Sequence, residues 1–368
     1  MDSKERINKL RLIRTPFVGP VTYKQLLLRY RTAEAALAAI PELSARGGRK
    51  LTPITKDAAE AELHAIHAAG ASLLILGDEE YPPRLAQFED APLTLTYKGS
   101  LSLVKKPVIA IVGARNASLN AMRLARHFAG TLGKAGFVIV SGMARGIDRA
   151  AHEGSLATGT IAILANGIDI PYPKDNRDLY EQISEQGLIL GEMPIGTQPT
   201  ARLFPMRNRI IAALSQGCLV VEAAVKSGSL ITAREAAERG CDVMAIPGSP
   251  LDPRAHGANT LIQDGAHLVQ SPEDVEAILS KSEDMFSMVS PYMPEPVQSH
   301  IKIDAKLVDE ARNQIMKNIS HDPIDIDELG RWCHVSAVVL AAALLELELG
   351  GCIQRHLGNR VSRLVEMP

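Results

Sequence analysis

Val108-Ile109-Ala110-Ile111-Val112-Gly113-Ala114-Arg115 is a short β-branched run closed by glycine and a cation, and comparable apolar runs recur along the chain. They are Phe137-Val138-Ile139-Val140, Thr160-Ile161-Ala162-Ile163-Leu164, Leu188-Ile189-Leu190, Leu219-Val220-Val221 and Val243-Met244-Ala245-Ile246. All are apolar on both faces, as strands between two helical layers must be. Roughly 25 to 30 residues separate most neighbours, which leaves room for a crossover helix each time. The expected fold class is α/β, a doubly wound parallel sheet running from Pro107 to about Lys281.

Upstream, from Glu5 to about Gly70, the pattern is helical and alanine-rich, broken at Ser44-Ala45-Arg46-Gly47-Gly48 and at Pro53. A bridging piece follows, with strand candidates Leu73-Leu74-Ile75-Leu76 and Leu93-Thr94-Leu95-Thr96-Tyr97. Downstream, Ser282 to about Asp304 carries Pro291, Pro294 and Pro296 without a periodic apolar face, the composition of a linker. Ala305 to Leu364 reads as three helices and then two short strands around Gly358-Asn359, the order of a helix-turn-helix with a wing. The expected division is an N-terminal helical domain over 1–80, the sheet domain over 81–283, a linker over 284–304 and a winged helix over 305–368.

A chain of 368 residues, 46% hydrophobic, has enough length for such a division. Its 40 Lys+Arg and 42 Asp+Glu leave a net charge of -2, so no global basic field announces a nucleic-acid partner. Any such site rests on local placement of charge. Met1 to Arg14 is polar and charged, unlike a signal peptide. The longest fully apolar stretch, Ala337 to Leu345, has nine residues, against the ~20 that cross a bilayer. No membrane association is expected. The four cysteines, Cys218, Cys241, Cys333 and Cys352, form no Cys-x-x-Cys pair. That argues against a disulfide framework and against a structural metal, and for a reduced, cytoplasmic chain.

In open parallel sheets, ligands gather where strands end and helices begin. The loops at those ends are Gly113 to Ser118, Ser141 to Asp148, Asn166 to Asn176, Arg202 to Arg209 and Lys226 to Thr232. Four combine glycine or serine with a nearby cation (Arg115; Ser141, Gly142, Arg145 and Gly146; Lys174; Lys226, Ser227 and Gly228), and the fifth supplies Arg202 and Arg207. Glycines let backbone N–H groups turn into one concavity, and helix N-termini add positive potential there. Convergence of these cations on one rim would suit phosphate. Each loop taken alone has a plain turn as its alternative, and Pro107 to Gln270 holds 15 Lys+Arg against 14 Asp+Glu.

Three ligand classes compete for such a rim. A nicotinamide or flavin enzyme needs Gly-x-Gly-x-x-Gly after the first strand, because the second glycine admits the pyrophosphate. Arg115 occupies that position, and the second strand ends in Ser141-Gly142 rather than an acid for the ribose. A phosphoribohydrolase acting on nucleoside monophosphates carries a double glycine and a glutamate after a late strand. Here Ser227-Gly228-Ser229 stands in that place, with Glu235 as a possible mimic and Glu222 as either a catalytic carboxylate or an anchor for loop N–H groups. His152, close to Asp148 and Glu153, reads either as one of a ligand trio or as a helix-face histidine. No other catalytic pair or metal cluster is apparent, so no catalytic residue, cofactor or metal is assigned.

The third class is nucleic acid. Ile111 to Ser118, Ser141 to His152, Tyr172 to Asn176, Phe204 to Ile211, Ser227 to Ala233 and Ala245-Ile246-Pro247-Gly248 form an ordered set, extended upstream by Tyr81 to Leu85 and Ala91-Pro92-Leu93. Over roughly Tyr81 to Ala266 this set resembles the DprA/Smf family, the DNA-processing proteins of bacterial transformation. The resemblance implies an extended Rossmann-like fold that binds single-stranded DNA and is not an enzyme. It also implies protection of incoming DNA, loading of the RecA recombinase, and a homodimer formed through the Rossmann-like domain. Family DNA contacts fall on Arg115, Lys174 and the loop from Arg202 to Phe204. Phosphate contacts give sequence-independent, salt-dependent binding. With 4% aromatic residues a long stacking platform is not expected, and Phe204 reads as either a base-stacking ring or a core plug.

The flanking domains carry weaker signals. Leu10 to Leu28, with Val18-Gly19-Pro20 between helices, resembles a helix-hairpin-helix or sterile-alpha-motif-like fold with only one of the two hairpin glycines. The candidate recognition helix, Ser336 to Leu349, has no Arg, Lys, Asn or Gln and carries Glu346 and Glu348, which DNA would repel. Arg355, His356, Arg360 and Arg363 in the wing keep duplex contact open, but protein contact or domain packing is the expected use.

Overall fold

The computed structural model describes residues 3–288, 304–356 and 358–364. Four helices come first: α1 (Ser3–Ile13), α2 (Pro20–Tyr30), α3 (Ala33–Arg46) and α4 (Lys56–Ala68). The sheet region follows with β1 (Ser72–Ile75), α5 (Pro83–Ala86), β2 (Thr94–Gly99), β3 (Val108–Val112), α6 (Leu119–Lys134), β4 (Val138–Ser141), α7 (Ile147–Ser155) and β5 (Thr160–Leu164). It continues with α8 (Arg177–Gln186), β6 (Leu188–Gly191), α9 (Leu203–Leu214), β7 (Gly217–Val220), α10 (Gly228–Glu238), β8 (Asp242–Ala245), α11 (His256–Gln263), β9 (His267–Leu268) and α12 (Pro272–Met288). The C-terminal elements are α13 (Ala305–Asn318), β10 (Ile324–Asp325), α14 (Ile326–Cys333), α15 (Ala337–Leu349), β11 (Ile353–His356) and β12 (Arg360–Arg363).

These elements form two compact units, Leu63–Tyr292 and Met1–Glu62 with Met293–Pro368. The first holds a nine-stranded sheet in the order β1-β2-β6-β5-β4-β3-β7-β8-β9. From β6 to β9 every neighbouring pair is parallel. β3, β4, β5 and β6 step outward in one direction, then the chain returns to place β7 on the free side of β3. The reversal between β3 and β7 opens a crevice at their carboxyl ends, the natural ligand site of a doubly wound sheet. Every residue of β3, β4 and β5 is buried, which is why these runs show no polar alternation. Ile109, Ile111, Ile139 and Leu219 from the strands pack with Phe128 and Leu132 of α6 and Val275 and Leu279 of α12.

Three features depart from the expected pattern. β1 and β2 are not a bridge between domains: β2 pairs antiparallel with β6, and β1 with β2, so the sheet begins at Ser72 rather than after residue 80. β9 is a two-residue, exposed strand without a recognisable apolar run. α12 continues to Met288, past the expected start of the linker at 284. The rest of that linker, residues 289–303, lies outside the described residues.

The second unit joins the N-terminal helices to the winged helix. Asp304 caps α13, its side chain accepting from the Lys306 N–H, and Asp325 caps α14 through the N–H groups of Asp327 and Glu328. β12 lies between β10 and β11 as the wing. α15 is not displayed for reading DNA. It packs on α3 and α13, and every residue from Ala342 to Leu349 is buried. Glu346 and Glu348, expected to repel DNA from an open surface, are instead inside this packing. Glu346 accepts from Arg312 and lies 3.5 Å from Arg46 of α3. Glu348 accepts from the Thr22 hydroxyl of α2 at 2.6 Å and from Arg355 of β11 at 3.0 Å. Gly47 and Gly350, at the carboxyl ends of α3 and α15, meet so closely that a Cβ on Gly350 would stand 2.1 Å from the Gly47 carbonyl oxygen. The helix serves domain packing, the use its composition favoured. No single helix among the described residues is long and apolar enough to cross a membrane.

Glu346 is almost fully buried, so losing its main cation strands a carboxylate in the packing. Arg312→Ala is expected to cost this unit about 3 kcal/mol in chemical denaturation, the range for a broken buried pair.

Candidate nucleic-acid interface

The carboxyl ends of β3, β4, β5 and β7 deliver their loops to one edge of the sheet, and two depressions lie there. The larger, about 600 Å³, is bordered by Gly113, Ala114 and Arg115, by Phe204, Arg207 and Asn208 of α9, and by Lys226 to Ser229. The smaller, about 60 Å³, is bordered by Gly142 to Arg145, Asn166, Tyr172 and Pro173. Arg115, Ala144, Phe204 and Arg207 border both.

Phe204 is half-buried on the shared border, so it is neither a sealed core plug nor an open ring. The Arg115 guanidinium lies 4.8 Å from the centre of its ring, within cation–π range. The Tyr172 ring lies 5.9 Å away, tilted by 42°. On the far wall Lys226 is exposed, and Ser227 caps α10 by accepting weakly from the Ser229 N–H at 3.4 Å. Gly228 is the first residue of this 11-residue helix, whose amino end adds positive potential to the larger depression.

Arg207 behaves differently from the other cations. It was expected on the rim, but it is only 6% exposed. Its Nη1 donates to the Gly142 carbonyl and, at 2.6 Å, to the Ile163 carbonyl, which ties the ends of β4 and β5 together from below. Its Nε is buried without a hydrogen-bond partner. Burial, helped by the nearby Arg115, lowers its pKa to about 10. Asp148 of α7 is the counter-charge. It accepts from the N–H groups of Gly142 and Ala144, each at 3.2 Å, so the loop after β4 is held by its N–H and its carbonyl groups alike. Burial pushes the Asp148 carboxyl up, while Arg207 and those N–H groups pull it back. Gly142 therefore makes room for an arginine rather than for a phosphate: a Cβ there would stand 2.1 Å from Arg207 Nη1.

The remaining expected residues divide in the same way. Ser141 is fully buried and donates to the Ile111 carbonyl at 2.7 Å, a strand-to-strand tie beneath the surface. Gly146 caps α7 against the Ala114 carbonyl and borders neither depression. Arg145 borders the smaller one and pairs with Asp175 at 3.6 Å, both largely exposed. Lys174 and Arg202 are exposed but border neither depression. Lys174 directly follows Tyr172-Pro173, and Arg202 follows Ala201, which does line the larger one. So Arg115, Phe204, Lys226, Ser227 and Gly228 come together at the surface, Arg207 and Gly142 form the layer below, and Ser141 belongs to the core.

Tyr172 and Asp148 carry roles the sequence did not announce. Tyr172 lies in a carboxyl-end loop next to a lysine, the signal that marked its neighbours, but a low aromatic content gave it no weight. Asp148 is indistinguishable in sequence from a solvated acid in a first helical turn.

The carboxylates and histidine considered for catalysis are committed elsewhere. Glu222 accepts from the Ser118 N–H at 3.0 Å and from its hydroxyl at 2.7 Å, so it anchors the start of α6. Glu235 pairs with Arg239 one turn along α10. His152 is fully buried rather than on a helix surface, with Nδ1 2.7 Å from the Thr160 hydroxyl. Burial, with a contribution from Arg207, lowers its pKa to about 3.

Comparison with known proteins gives this arrangement a lineage. Residues 72–280 match the family described as DNA recombination-mediator protein A. Residues 3–65 match the DprA-like N-terminal HHH domain, and residues 304–359 the DprA winged helix domain. The chain belongs to the DprA/Smf family. It is 34% identical over 323 residues to protein Smf of Escherichia coli, covering 87% of this chain and 84% of that one. It is 47% identical over 202 residues to DNA processing protein DprA of Streptococcus pneumoniae, covering 54% of this chain and 71% of the relative. The solved Streptococcus pneumoniae structure matches at a TM-score of 0.65 and 36% identity, over 75% of this chain and 98% of that one. A Helicobacter pylori DNA processing protein A structure, described for its single-stranded DNA binding mode, matches at a TM-score of 0.53 and 30% identity, over 58% of this chain and 96% of that one.

Two outcomes follow from the buried layer. Arg207→Met leaves Asp148 without its cation and should cost roughly 3–5 kcal/mol in urea denaturation. For His152 the folded pKa lies below the ordinary value, so its stabilising contribution is whole above about 6.5 and drains away as the pH falls toward about 3. Against His152→Gln, the wild-type chain should lose up to ~1.4 kcal/mol per pH unit across that window.

Proposed function

We propose that this chain binds single-stranded DNA along the rim formed by Arg115, Lys174, Arg202, Phe204 and Lys226. In this reading it protects incoming strands during natural transformation and helps load RecA recombinase onto them, working as a homodimer. The observation that carries the reading is that Arg115, Phe204 and Lys226 border one depression at the β3/β7 reversal, above a buried arginine. A near-neutral domain has thereby gathered cations where its loops meet, which is what a phosphate chain requires of local charge placement. The Helicobacter pylori relative's single-stranded DNA binding mode supports the choice of ligand.

The competing reading is hydrolysis of nucleoside monophosphates. Binding is favoured because Glu222 is held by Ser118 and Glu235 by Arg239, each turned to a structural partner. Duplex reading by the winged helix is disfavoured because α15 is covered by packing.

A mobility assay with single- and double-stranded oligonucleotides over a salt series tests the proposal. The single strand should bind more tightly, and Arg115→Ala or Lys174→Ala should weaken it. Each should also flatten the dependence of log K on log salt by about 0.7, the share of one phosphate on a single strand. Unchanged binding in both variants would remove the rim from the mechanism, and release of free base from a nucleoside monophosphate would favour the hydrolase.

A further inference from the structure

Two aromatic rings border the depressions, Phe204 and Tyr172, and their circumstances differ. The Phe204 ring is half-buried and already carries the Arg115 guanidinium at 4.8 Å. Tyr172 is 39% exposed, a large ring left in contact with water at the mouth of the smaller depression. A ring that served only to prop Phe204 would gain by being covered.

The loop that carries Tyr172 is fastened before any ligand arrives. Asn166 Nδ2 donates to the carbonyls of Gly167 and Ile170, at 3.0 and 2.6 Å, and the Tyr180 hydroxyl donates to the Ile168 carbonyl at 2.5 Å. Beyond the ring, Asn176 Nδ2 donates to the carbonyls of Met143 and Ala144, at 2.8 and 3.2 Å, which ties this loop to the one after β4. Stacking on a ring held this way costs little ordering entropy. An exposed cation, Lys174, lies two residues on, and Arg115 lines the same depression, so aromatic surface and phosphate-binding charge are offered side by side.

We propose that Tyr172 supplies the open aromatic face on which one base of a bound single strand stacks, beside the cation-covered ring of Phe204. This rests on the single-strand reading above and adds to it a base contact, in a site otherwise described by backbone charge. Any base has a π-face, so the contact raises affinity without selecting sequence.

The test compares an oligothymidylate with an abasic oligomer of equal length, titrated against the full chain and its Tyr172→Leu and Tyr172→Phe variants. Wild type should hold the oligothymidylate more tightly than the abasic strand. Tyr172→Leu should weaken oligothymidylate binding roughly 5- to 150-fold, the value of one base–aromatic stack. It should leave the abasic strand and the salt slope unchanged, and Tyr172→Phe should restore tight binding. Equal loss for both strands would make the ring a scaffold for its loop, and no loss for either would make it a bystander; each overturns this proposal alone. Wild-type chain that holds neither strand takes down the single-strand reading and this contact with it.

Discussion

Arg207 lies beneath the loops with one nitrogen shared between the carbonyls of Gly142 and Ile163, and the site's shape depends on that bridge. Parallel strands end in loops with no neighbouring ladder to hold them, so the carboxyl edge of a doubly wound sheet needs another source of rigidity. Here the source is a charge taken out of water. Desolvating a guanidinium is expensive, and that cost is offset by hydrogen bonds to carbonyls and by the nearby Asp148, which in turn holds the N–H groups of Gly142 and Ala144. Removing any one of these leaves the others buried and unsatisfied. The loop fastened in this way carries Met143, Ala144 and Arg145 to the border of the smaller depression.

The other unit uses the same device for a different end. Glu346 and Glu348 are buried on α15 and satisfied by Arg312, Arg46, Arg355 and Thr22, which come from α13, α3, β11 and α2. These contacts fix one register between the N-terminal helices and the winged helix, and the touching glycines at the ends of α3 and α15 leave no room for another. A helix that in other winged-helix proteins is free to enter a groove is spent here on holding a module together.

Much of this was legible in the residues. β3 and β5 match their apolar runs residue for residue, because a strand buried on both faces leaves an uninterrupted apolar signature. β1 and β2 were visible as strands, but not the pairing of β2 with β6 that joins them to the sheet, since pairing is a long-range choice with no local mark. β9 left no trace, being two exposed residues held by backbone hydrogen bonds to β8. At the edge of the sheet, composition pointed to loops that border the two depressions and could not rank their cations. Arg115 and Arg207 are both arginines in segments that follow a strand's carboxyl end, and what separates them is depth. Depth came from Gly142, which reads as a phosphate-loop glycine in sequence and admits a guanidinium in space. Glu346 and Glu348 argued against DNA reading, but their role as the helix's anchors was not visible in the sequence.

The division between buried and exposed charges also explains how a near-neutral domain can gather cations at one edge. Asp148 and Glu222 lie below the surface, accepting from loop N–H groups, so their negative charge is consumed in organising the edge. Arg145 is partly offset by Asp175, but Arg115 and Lys226 border the larger depression, and the amino end of α10, just after Lys226, adds its dipole. Charge count is therefore a poor guide to what a phosphate chain would meet. Asp148 and Glu222 stabilise loops from within while Arg115 and Lys226 remain outside, so charges that nearly cancel in composition are separated in depth at this edge.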